Sequence, residues 1–541
     1  MKSNFFILLI STLVFSCQSI PSRNISSEKT NNPKHFVDVT MDSGIPSIAS
    51  TTFVVADYNN DGLTDFIAGN RLFKNESSAK DIKFSDITAE VELSDLRGNP
   101  LFIDINNDGL VDVLSTSGQL YIQNAKGYFV ESSKKFELKI PENAHTISFG
   151  DINHDGWPDL IVGMNETEVD HKFSFVPSHV FQNIKGKKFI DVTSVYSFEK
   201  FPAYTRGVVW ADYNNDGRPD FYFANYRLRR NYLFSKQGEN LNESAIEKNV
   251  QGVFDGKKYY DEQMKTWYGP SFGHTIGANW VDFNNDGLFD LWVSNLAHKY
   301  VGNNRGAYDI RGYVCDDSKI YKNLGGPDFK FEDVRAKSNI AYKPIGDWDK
   351  YQGDELWSHS TAADFDNDGL VDMYVSQVYN LKYAHSLLFK NNGEFKFNDV
   401  ADEEKISVID SYGAAWADFN NDGLMDLIVS GREEVDAPAK IKIFKNITKN
   451  QNHFLKIKLI GKKSGKNPVG TQIRVIYKKG LYLKQYEGVT GTMNQQNDPV
   501  IHFGLGTNKN IQKIEVRWNS GKIQEILKPK IDQLITIEEI N

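Results

Sequence analysis

The chain has 541 residues, 40% of them hydrophobic, and a formal net charge of −9 at neutral pH. This length can bury more than one hydrophobic core. The chain contains two cysteines and no recognisable nucleic-acid-binding motif, so the sequence excludes a disulfide framework and disfavours a nucleic-acid partner.

The N-terminus resembles a lipoprotein signal peptide. Lys2 precedes an apolar run that ends at Phe15, and Cys17 follows two residues later. The run is too short to span a bilayer, so we expect removal of residues 1–16, lipidation (palmitate) at Cys17 and a flexible tether over residues 17–34. This predicts a protein attached to the cell envelope by its lipid anchor alone, in the outer membrane, with the leaflet undecided. A plain secretory signal with an incidental cysteine is the alternative.

One nine-residue pattern, Asp-x-(Asn/Asp)-x-Asp-Gly-x-x-Asp, then occurs seven times, and we number its copies loops 1 to 7 in chain order. Positions 1, 3, 5 and 9 of the pattern are Asp57, Asn59, Asp61, Asp65; Asp104, Asn106, Asp108, Asp112; Asp151, Asn153, Asp155, Asp159; Asp212, Asn214, Asp216, Asp220; Asp282, Asn284, Asp286, Asp290; Asp364, Asp366, Asp368, Asp372; and Asp418, Asn420, Asp422, Asp426. A fixed motif at wide spacing predicts a repeat architecture.

These residues predict a calcium ion in each loop. Side chains at positions 1, 3 and 5 turn toward one point, the glycine at position 6 permits a sharp reversal, and the aspartate at position 9 closes the shell. An EF-hand would also need a glutamate at position 12 and flanking helices, but no loop has a metal-binding side chain at that position. Short apolar runs follow the loops instead and predict buried strands. Solvated acidic turns without metal are the alternative, which seven copies of one geometry disfavour.

The spacing of the loops predicts an all-β fold, a seven-bladed β-propeller over residues 35–446. Successive first aspartates lie 47, 47, 61, 70, 82 and 54 residues apart, which suits four-stranded blades with insertions. Two further phrases recur in register with the loops, such as KFSDIT from Lys83 and LFKN from Leu72. A linear calcium-loaded β-solenoid is the alternative, but its repeats would be much shorter.

Insertions in blades four to six are rich in aromatic residues. Aromatic rings beside Asp, Asn and Arg suit the stacking of sugars, and binding residues are often carried on loops of a rigid scaffold. We therefore predict a ligand surface that includes Trp267, Tyr268, Tyr313, Trp348 and Trp357. The alternative is that these side chains pack on one another and cover the propeller.

Residues 447–541 predict a small, mostly-β C-terminal domain. The runs HFLKIKLI, TQIRVIYKK, QKIEVRW and LITIEEI alternate as strands do. This segment has a net charge of +9, and the rest of the chain has −18. The basic segment either docks on the propeller or meets an anionic partner, such as a polysaccharide or a membrane surface.

Both parts of the chain resemble known families. The calcium-loop repeats resemble the FG-GAP/VCBS family, and the phrases HFGLG from His502 and WNSG from Trp518 resemble the ASPIC/UnbV domain. The combination is similar to the cartilage acidic protein (CRTAC) family and its bacterial lipoprotein homologues. The resemblance implies the same calcium-loop propeller that the repeats predict.

The function predicted from these features is that of an exported, lipid-anchored binding or adhesion module. Its expected partner is an extracellular ligand, either a protein or an environmental, anionic polysaccharide. No catalytic residue is assigned, because the sequence lacks a nucleophile elbow, a HExxH helix, a phosphate loop and a Rossmann fingerprint. The alternatives are a polysaccharide lyase or hydrolase on the same scaffold, and a structural partner of other envelope proteins.

Overall fold

The computed structural model describes residues 34–169, 172–237, 240–252, 259–261, 266–268, 272–297, 316–342 and 355–541. The predicted signal peptide and Cys17 lie outside these ranges. In the described chain, no helix is long and apolar enough to cross a membrane. The described helices are single 3₁₀ turns at Thr40–Asp42, Phe198–Lys200 and Arg335–Lys337, and the rest of the regular structure is β-strand, so the all-β prediction is confirmed.

Seven four-stranded antiparallel units follow one another along the chain after the short strand β1 (Phe36–Asp38). The first three units are β2 (Phe53–Ala56), β3 (Asp65–Ala68), β4 (Arg71–Asn75) and β5 (Phe84–Asp86); β6 (Pro100–Ile103), β7 (Asp112–Ser115), β8 (Leu120–Gln123) and β9 (Phe129–Glu131); and β10 (Ala144–Gly150), β11 (Asp159–Met164), β14 (His179–Asn183) and β15 (Phe189–Asp191), with an extra hairpin of β12 (Thr167–Val169) and β13 (Lys172–Ser174).

The remaining units have the same strand order. They are β16 (Tyr204–Ala211), β17 (Asp220–Tyr226), β18 (Tyr232–Gln237) and β19 (Asn240–Glu243); then, after a hairpin of β20 (Tyr259–Asp261) and β21 (Thr266–Tyr268), β22 (Thr275–Val281), β23 (Asp290–Ala297), β24 (Lys319–Asn323) and β25 (Phe331–Asp333); β26 (Glu355–Ala363), β27 (Asp372–Gln377), β28 (Leu387–Asn391) and β29 (Phe397–Asp399); and β30 (Ala414–Ala417), β31 (Asp426–Gly431) and β32 (Lys440–Asn446). We call the units blades 1 to 7. Blades 5 and 6 also pair with each other through β23 and β26.

The blades form a closed ring. The N-terminal strand β1 pairs with β32, with Phe36 opposite Asn446, so the two ends of the repeat region share blade 7. The first strand of each blade faces the centre of the ring, where β2 contacts both β6 and β30, and contacts also join β10 to β16, β16 to β22, β22 to β26 and β26 to β30. The amide of Asn99 donates to the carbonyl of His145 and links blades 2 and 3. This arrangement is a β-propeller, and seven units are consistent with the predicted number of blades.

Hydrophobic side chains fill the spaces between neighbouring blades. Between blades 7 and 1, Phe84 packs edge-on against Phe66 and Phe419. Between blades 5 and 6, the ring of Trp357 stacks on Trp292 with centroids 5.4 Å apart. Trp357 is 3% exposed, so its predicted place on a ligand surface is wrong. Blade 5 covers Trp357, because this residue lies near the start of inner strand β26 and packs into the core between blades 5 and 6.

The C-terminal segment contains seven further strands in two sheets. They are β33 (His453–Ile460), β34 (Gln472–Tyr477), β35 (Gly480–Gln485), β36 (Ile501–Gly506), β37 (Ile511–Arg517), β38 (Ile523–Leu527) and β39 (Leu534–Glu538). One sheet has the order β36-β33-β39, with β33 and β39 parallel, and the other has the order β35-β34-β37-β38. Leu455, Val475 and Trp518 are among the residues of its own buried core. We call this segment the C-terminal domain.

Candidate metal centres

All seven predicted loops lie at one end of the propeller, because each joins the first strand of a blade to the second. We call this end the loop face and the other end the opposite face. In loop 1, the carboxylate of Asp57 accepts hydrogen bonds from the backbone amides of Asp61 at 2.9 Å and Gly62 at 3.1 Å. Gly62 has a φ of +87°, which permits the tight reversal that aims these groups inward. The structure therefore forms the loop that the sequence motif predicts.

The aspartate at position 9 begins the second strand and is buried in every loop. In loop 1, Asp65 accepts a hydrogen bond from the amide of Tyr58 at 3.1 Å and one from the amide of Asn75 at 2.7 Å. Each carboxylate oxygen has two lone pairs, so these two bonds leave acceptor capacity that a cation could use.

Burial makes the ionised form of these carboxylates unfavourable. Desolvation raises the pKa of Asp65 and Asp112 to about 8. At position 1, burial raises the pKa to about 6 in Asp104 and Asp151 and to about 7 in Asp282. Neighbouring carboxylates of the same loop raise these pKa values further. A bound cation would reverse this effect, because it stabilises the charged form.

Several loop oxygens have no hydrogen-bond partner within the described chain. At position 3, the buried side-chain oxygens Asn284 Oδ1, Asp366 Oδ1 and Asn420 Oδ1 are unpaired. In loop 6, single carboxylate oxygens of Asp364, Asp366 and Asp372 lie within 4.8 Å of one another. Buried polar atoms are normally satisfied, and a donor set made only of carboxylate and amide oxygens suits a hard divalent cation. The loops therefore fit such an ion.

Loop 6 differs from the other six loops in its charge. Elsewhere the asparagine at position 3 donates its amide to the aspartate at position 5, as Asn59 does to Asp61 at 2.8 Å. Loop 6 has Asp366 at position 3, which cannot donate. The ammonium of Lys390 instead contacts Asp366 and lies 3.0 Å from Asp368. Lys390 thus offsets the additional carboxylate of this loop.

Each blade is also joined to its neighbour by a side chain at the end of its third strand. Asn391 donates to the carbonyl of Phe283 in loop 5 at 2.9 Å, while its backbone amide donates to Asp372 at 2.8 Å. The same inter-blade bond is made by Asn75, Gln123, Asn183, Lys236, Asn323 and Asn446. The recurring LFKN phrase is the sequence signal for these residues, but the phrase does not show that its asparagine crosses to another blade.

The C-terminal domain covers the loop face. The ammonium of Lys456 lies 2.7 Å from Asp418 in loop 7, and Arg474 donates to Asn215 in loop 4 at 2.7 Å. Contacts at the other loops are made by Lys458 to Asp57, Asn467 to Asp104, Gly465 to Gly156, Leu481 to Gly287 and Gly506 to Asn367. Basic groups of this domain thus meet the acidic loops, as one of the two alternatives for the charged tail predicts.

Residues 488–498, which connect β35 to β36, enter the centre of the ring, and we call them the axial loop. Its polar side chains and backbone bond to the inner strand of every blade. The amide oxygen of Gln496 accepts from the backbone of Phe102 at 2.7 Å, and Asn494 accepts from Ile147 at 2.5 Å. Further bonds join the loop to Phe53, Arg206, Ala278, Thr361 and Trp416. Asparagine and glutamine can donate and accept, so they satisfy the strand edges that face the axis.

The five predicted ligand residues are not brought together in the described part of the chain. Trp267 and Tyr268 belong to β21, and the structure does not describe their side chains. Tyr313 and Trp348 lie outside the described residues, and Trp357 is in the core. The ends of the described chain that flank these insertions, such as Ala297 at the end of β23 and Glu355 at the start of β26, lie on the opposite face.

Family models match both parts of the molecule. Residues 71–162 and 364–429 match the FG-GAP-like repeat, and residues 461–541 match the ASPIC and UnbV domain. The chain is thus a β-propeller, parts of which match the FG-GAP-like repeat, followed by a C-terminal domain that matches the ASPIC and UnbV family.

Among curated proteins, the chain resembles the cartilage acidic protein family. Cartilage acidic protein 1 of Xenopus tropicalis is 24% identical over 324 residues, which cover 59% of this chain and 42% of that protein. The Homo sapiens protein of the same name is 23% identical over 260 residues, 46% of this chain and 34% of that protein. The matched part therefore spans less than half the length of these relatives.

Solved structures include two partial matches at low identity. "YCF48 bound to D1 peptide" has a TM-score of 0.37 and 9% identity, and the match covers 77% of this chain and 98% of that chain. "Structure of Dos1 propeller" has a TM-score of 0.35 and 9% identity, with 77% and 95% covered.

Proposed function

We propose that the protein is an exported, lipid-anchored propeller that binds about one calcium ion per blade and serves as a binding module for an extracellular polysaccharide. The observation that carries the metal assignment is the set of buried loop oxygens without partners, at position 3 in three loops. Calcium is favoured over magnesium because it accepts six to eight oxygen ligands in irregular geometry, whereas magnesium needs a near-ideal octahedron.

The ligand is assigned to the opposite face. The C-terminal domain covers the loop face and the axial loop fills the centre of the ring, so neither is available to a polymer. The basic side chains of the C-terminal domain that contact the loops are engaged within the molecule, which argues against a sulfated polymer bound by that part of the tail. The described residues that flank these insertions, such as Ala297 and Glu355, lie on the opposite face.

A binding role rather than catalysis is supported by the burial of the position-9 carboxylates in all seven loops, where that of Asp65, for example, is held by two backbone amides. In a binding module these carboxylates stabilise the scaffold. A lipid on Cys17 would attach the module to the membrane, and the flexible tether of residues 17–34 would connect the lipid to the propeller.

The test is affinity electrophoresis of the soluble protein from Ser19 onward through neutral, uronate and sulfated polysaccharides, in calcium or in chelator. The same mixtures are assayed for new chain ends. Retardation in calcium without new ends is the expected result. New chain ends would show that the protein cleaves the polysaccharide and is an enzyme rather than a binding module. If neither retardation nor new ends are observed, a protein partner in the envelope is favoured.

A further inference from the structure

The inner strands of blades 3 to 6 extend beyond those of the other blades on the opposite face. Strands β10, β16, β22 and β26 have 7, 8, 7 and 9 residues, whereas β2, β6 and β30 have 4 each. Each long strand also contains a β-bulge near its start. Bulges redirect side chains and are common beside functional sites. The extra residues in β10 and β16 are His145 and Arg206.

The guanidinium of Arg206 lies in an aromatic setting. It is 4.6 Å from the ring centroids of both Tyr204 and Tyr226. Its Nη1 donates to Nε2 of His145 at 3.3 Å, and its backbone carbonyl accepts from Thr492 of the axial loop at 2.8 Å. Arg206 is therefore fixed on the opposite face, directly beside the tip of the axial loop.

Arg206 has no carboxylate partner in the part of the chain that the structure describes. Its buried Nε has no hydrogen-bond acceptor. The nearby carboxylate of Glu166 pairs with Arg227 at 2.9 Å instead. Burial holds the pKa of His145 well below its usual value, so this neighbour stays neutral and adds no second positive charge. The acidic propeller thus contains a part-buried guanidinium, and its Nε–H donor has no acceptor among the described residues.

Exposed aromatic rings lie beside this cation. Tyr379 and Tyr383, on the connection between β27 and β28, are 38% and 44% exposed. Val378 and Ala384, which bracket these two tyrosines, pack in one hydrophobic cluster with Tyr204 and Tyr226. This packing places the connection next to the two rings that hold Arg206. A guanidinium can bind a planar carboxylate through two parallel hydrogen bonds, and flat rings cover the apolar faces of sugars.

We propose that Arg206 is the anion-binding residue of a subsite for a uronate sugar, beside the tip of the axial loop on the opposite face. The inference rests on the proposed function and names the chemical group that the polysaccharide presents. The carboxylate of the uronate pairs with the guanidinium, and the neighbouring sugar rings lie against the exposed tyrosines. A sugar fits this surface better than an acidic peptide, because the cation is single and the ring surface beside it is extended.

The test uses the calcium-loaded protein from Ser19 onward and calorimetric titration with oligogalacturonate. Its carboxyl-reduced neutral counterpart, a sulfated polysaccharide and polyglutamate serve as comparison ligands. The variants are Arg206→Gln and Arg206→Lys, with Arg71→Gln, an exposed arginine on β4 at the side of blade 1, as the matched control. Melting temperatures of all variants are measured first, and equal values show that the fold is unchanged.

We expect the parent to bind oligogalacturonate and to bind the reduced polymer poorly. Arg206→Gln should lower the affinity about tenfold or more, because a charge-assisted bidentate pair is lost. Arg206→Lys should retain part of the affinity, and Arg71→Gln should retain all of it.

Equal affinity of Arg206→Gln and the parent for the uronate would overturn this inference and leave the proposed function standing. Binding of polyglutamate alone would overturn the sugar assignment. Failure of the parent to bind any polysaccharide would overturn the proposed function and the subsite together.

Discussion

Asp286 shows what a single aspartate contributes to a loop. Its carboxylate accepts hydrogen bonds from the amide of Leu288 at 3.0 Å and the side chain of Asn284 at 2.8 Å, and it is exposed on its outer side. Asp286→Ala removes one candidate calcium ligand, so we expect a lower melting temperature in calcium and little change in excess chelator. Asp402→Ala, at an exposed aspartate outside the loops, is the control. Equal melting of Asp286→Ala and the parent in calcium would show that loop 5 holds no ion.

Lys390 supports a second prediction at the scale of one residue. It is the cation that offsets Asp366, the one loop residue at position 3 that is not asparagine. Lys390→Met leaves this carboxylate uncompensated and should lower the melting temperature. Adding Asp366→Asn should restore most of the loss, since the asparagine can donate to Asp368 as in the other loops. A double variant no more stable than Lys390→Met would contradict this account of loop 6.

At the scale of elements, the asparagine that ends the third strand joins neighbouring blades. Asn391→Ala removes the bonds from its side chain to the carbonyls of Phe283 and Val371. Each buried acceptor left unpaired costs ~1–3 kcal/mol, so the loss of both partners should lower the free energy of unfolding by about 2–6 kcal/mol. The control is Asn392→Ala, the exposed neighbour. Denaturant unfolding measures both, and similar values for the two variants would refute the role of the inter-blade bond.

The elements also show where sequence reasoning succeeds and where it stops. The period of the metal motif and the apolar run after it are local patterns, so they predict the second strand of each blade well. The bond from Asn391 to Phe283 joins residues 108 positions apart, and no local pattern carries that information. Trp357 illustrates the same limit, because its burial depends on Trp292 in another blade.

At the scale of the whole molecule, the C-terminal domain and the propeller form one interlocked structure. Gln496 of the axial loop exchanges hydrogen bonds with the amide and carbonyl of Phe102, at 2.7 and 3.0 Å. Gln496→Ala leaves both groups unpaired, and we expect it to lower the free energy of unfolding of the propeller by about 2–6 kcal/mol. Gln533→Ala, an exposed position of the same domain, should have almost no effect. Melting is monitored by the signal of the tryptophans in the blades. A melting temperature that Gln496→Ala leaves unchanged would show that the axial loop is dispensable.

The docking of the C-terminal domain could be predicted only in outline. The opposite net charges of the two parts are visible in the sequence and indicate an intramolecular contact. The axial loop is not visible there, because NQQN in isolation reads as a polar turn. Its place becomes clear only when the seven inner strands are assembled and their axis-facing groups need partners. Arg206 was missed for the same reason, since a β-bulge depends on the register of two strands.

The most direct test of the account is the melting temperature of the protein as a function of pH, in calcium and in chelator. Burial raises the pKa of Asp65 and Asp112 to about 8 in the metal-free form. The folded form then binds more protons than the unfolded form between the two pKa values, so the stability of the chelated protein should fall as pH rises from about 4 to about 8. Calcium should restore the stability at neutral pH, because the ion stabilises the ionised carboxylates. A melting temperature that is independent of pH and the same in calcium and in chelator would contradict the claim that these loops are metal centres.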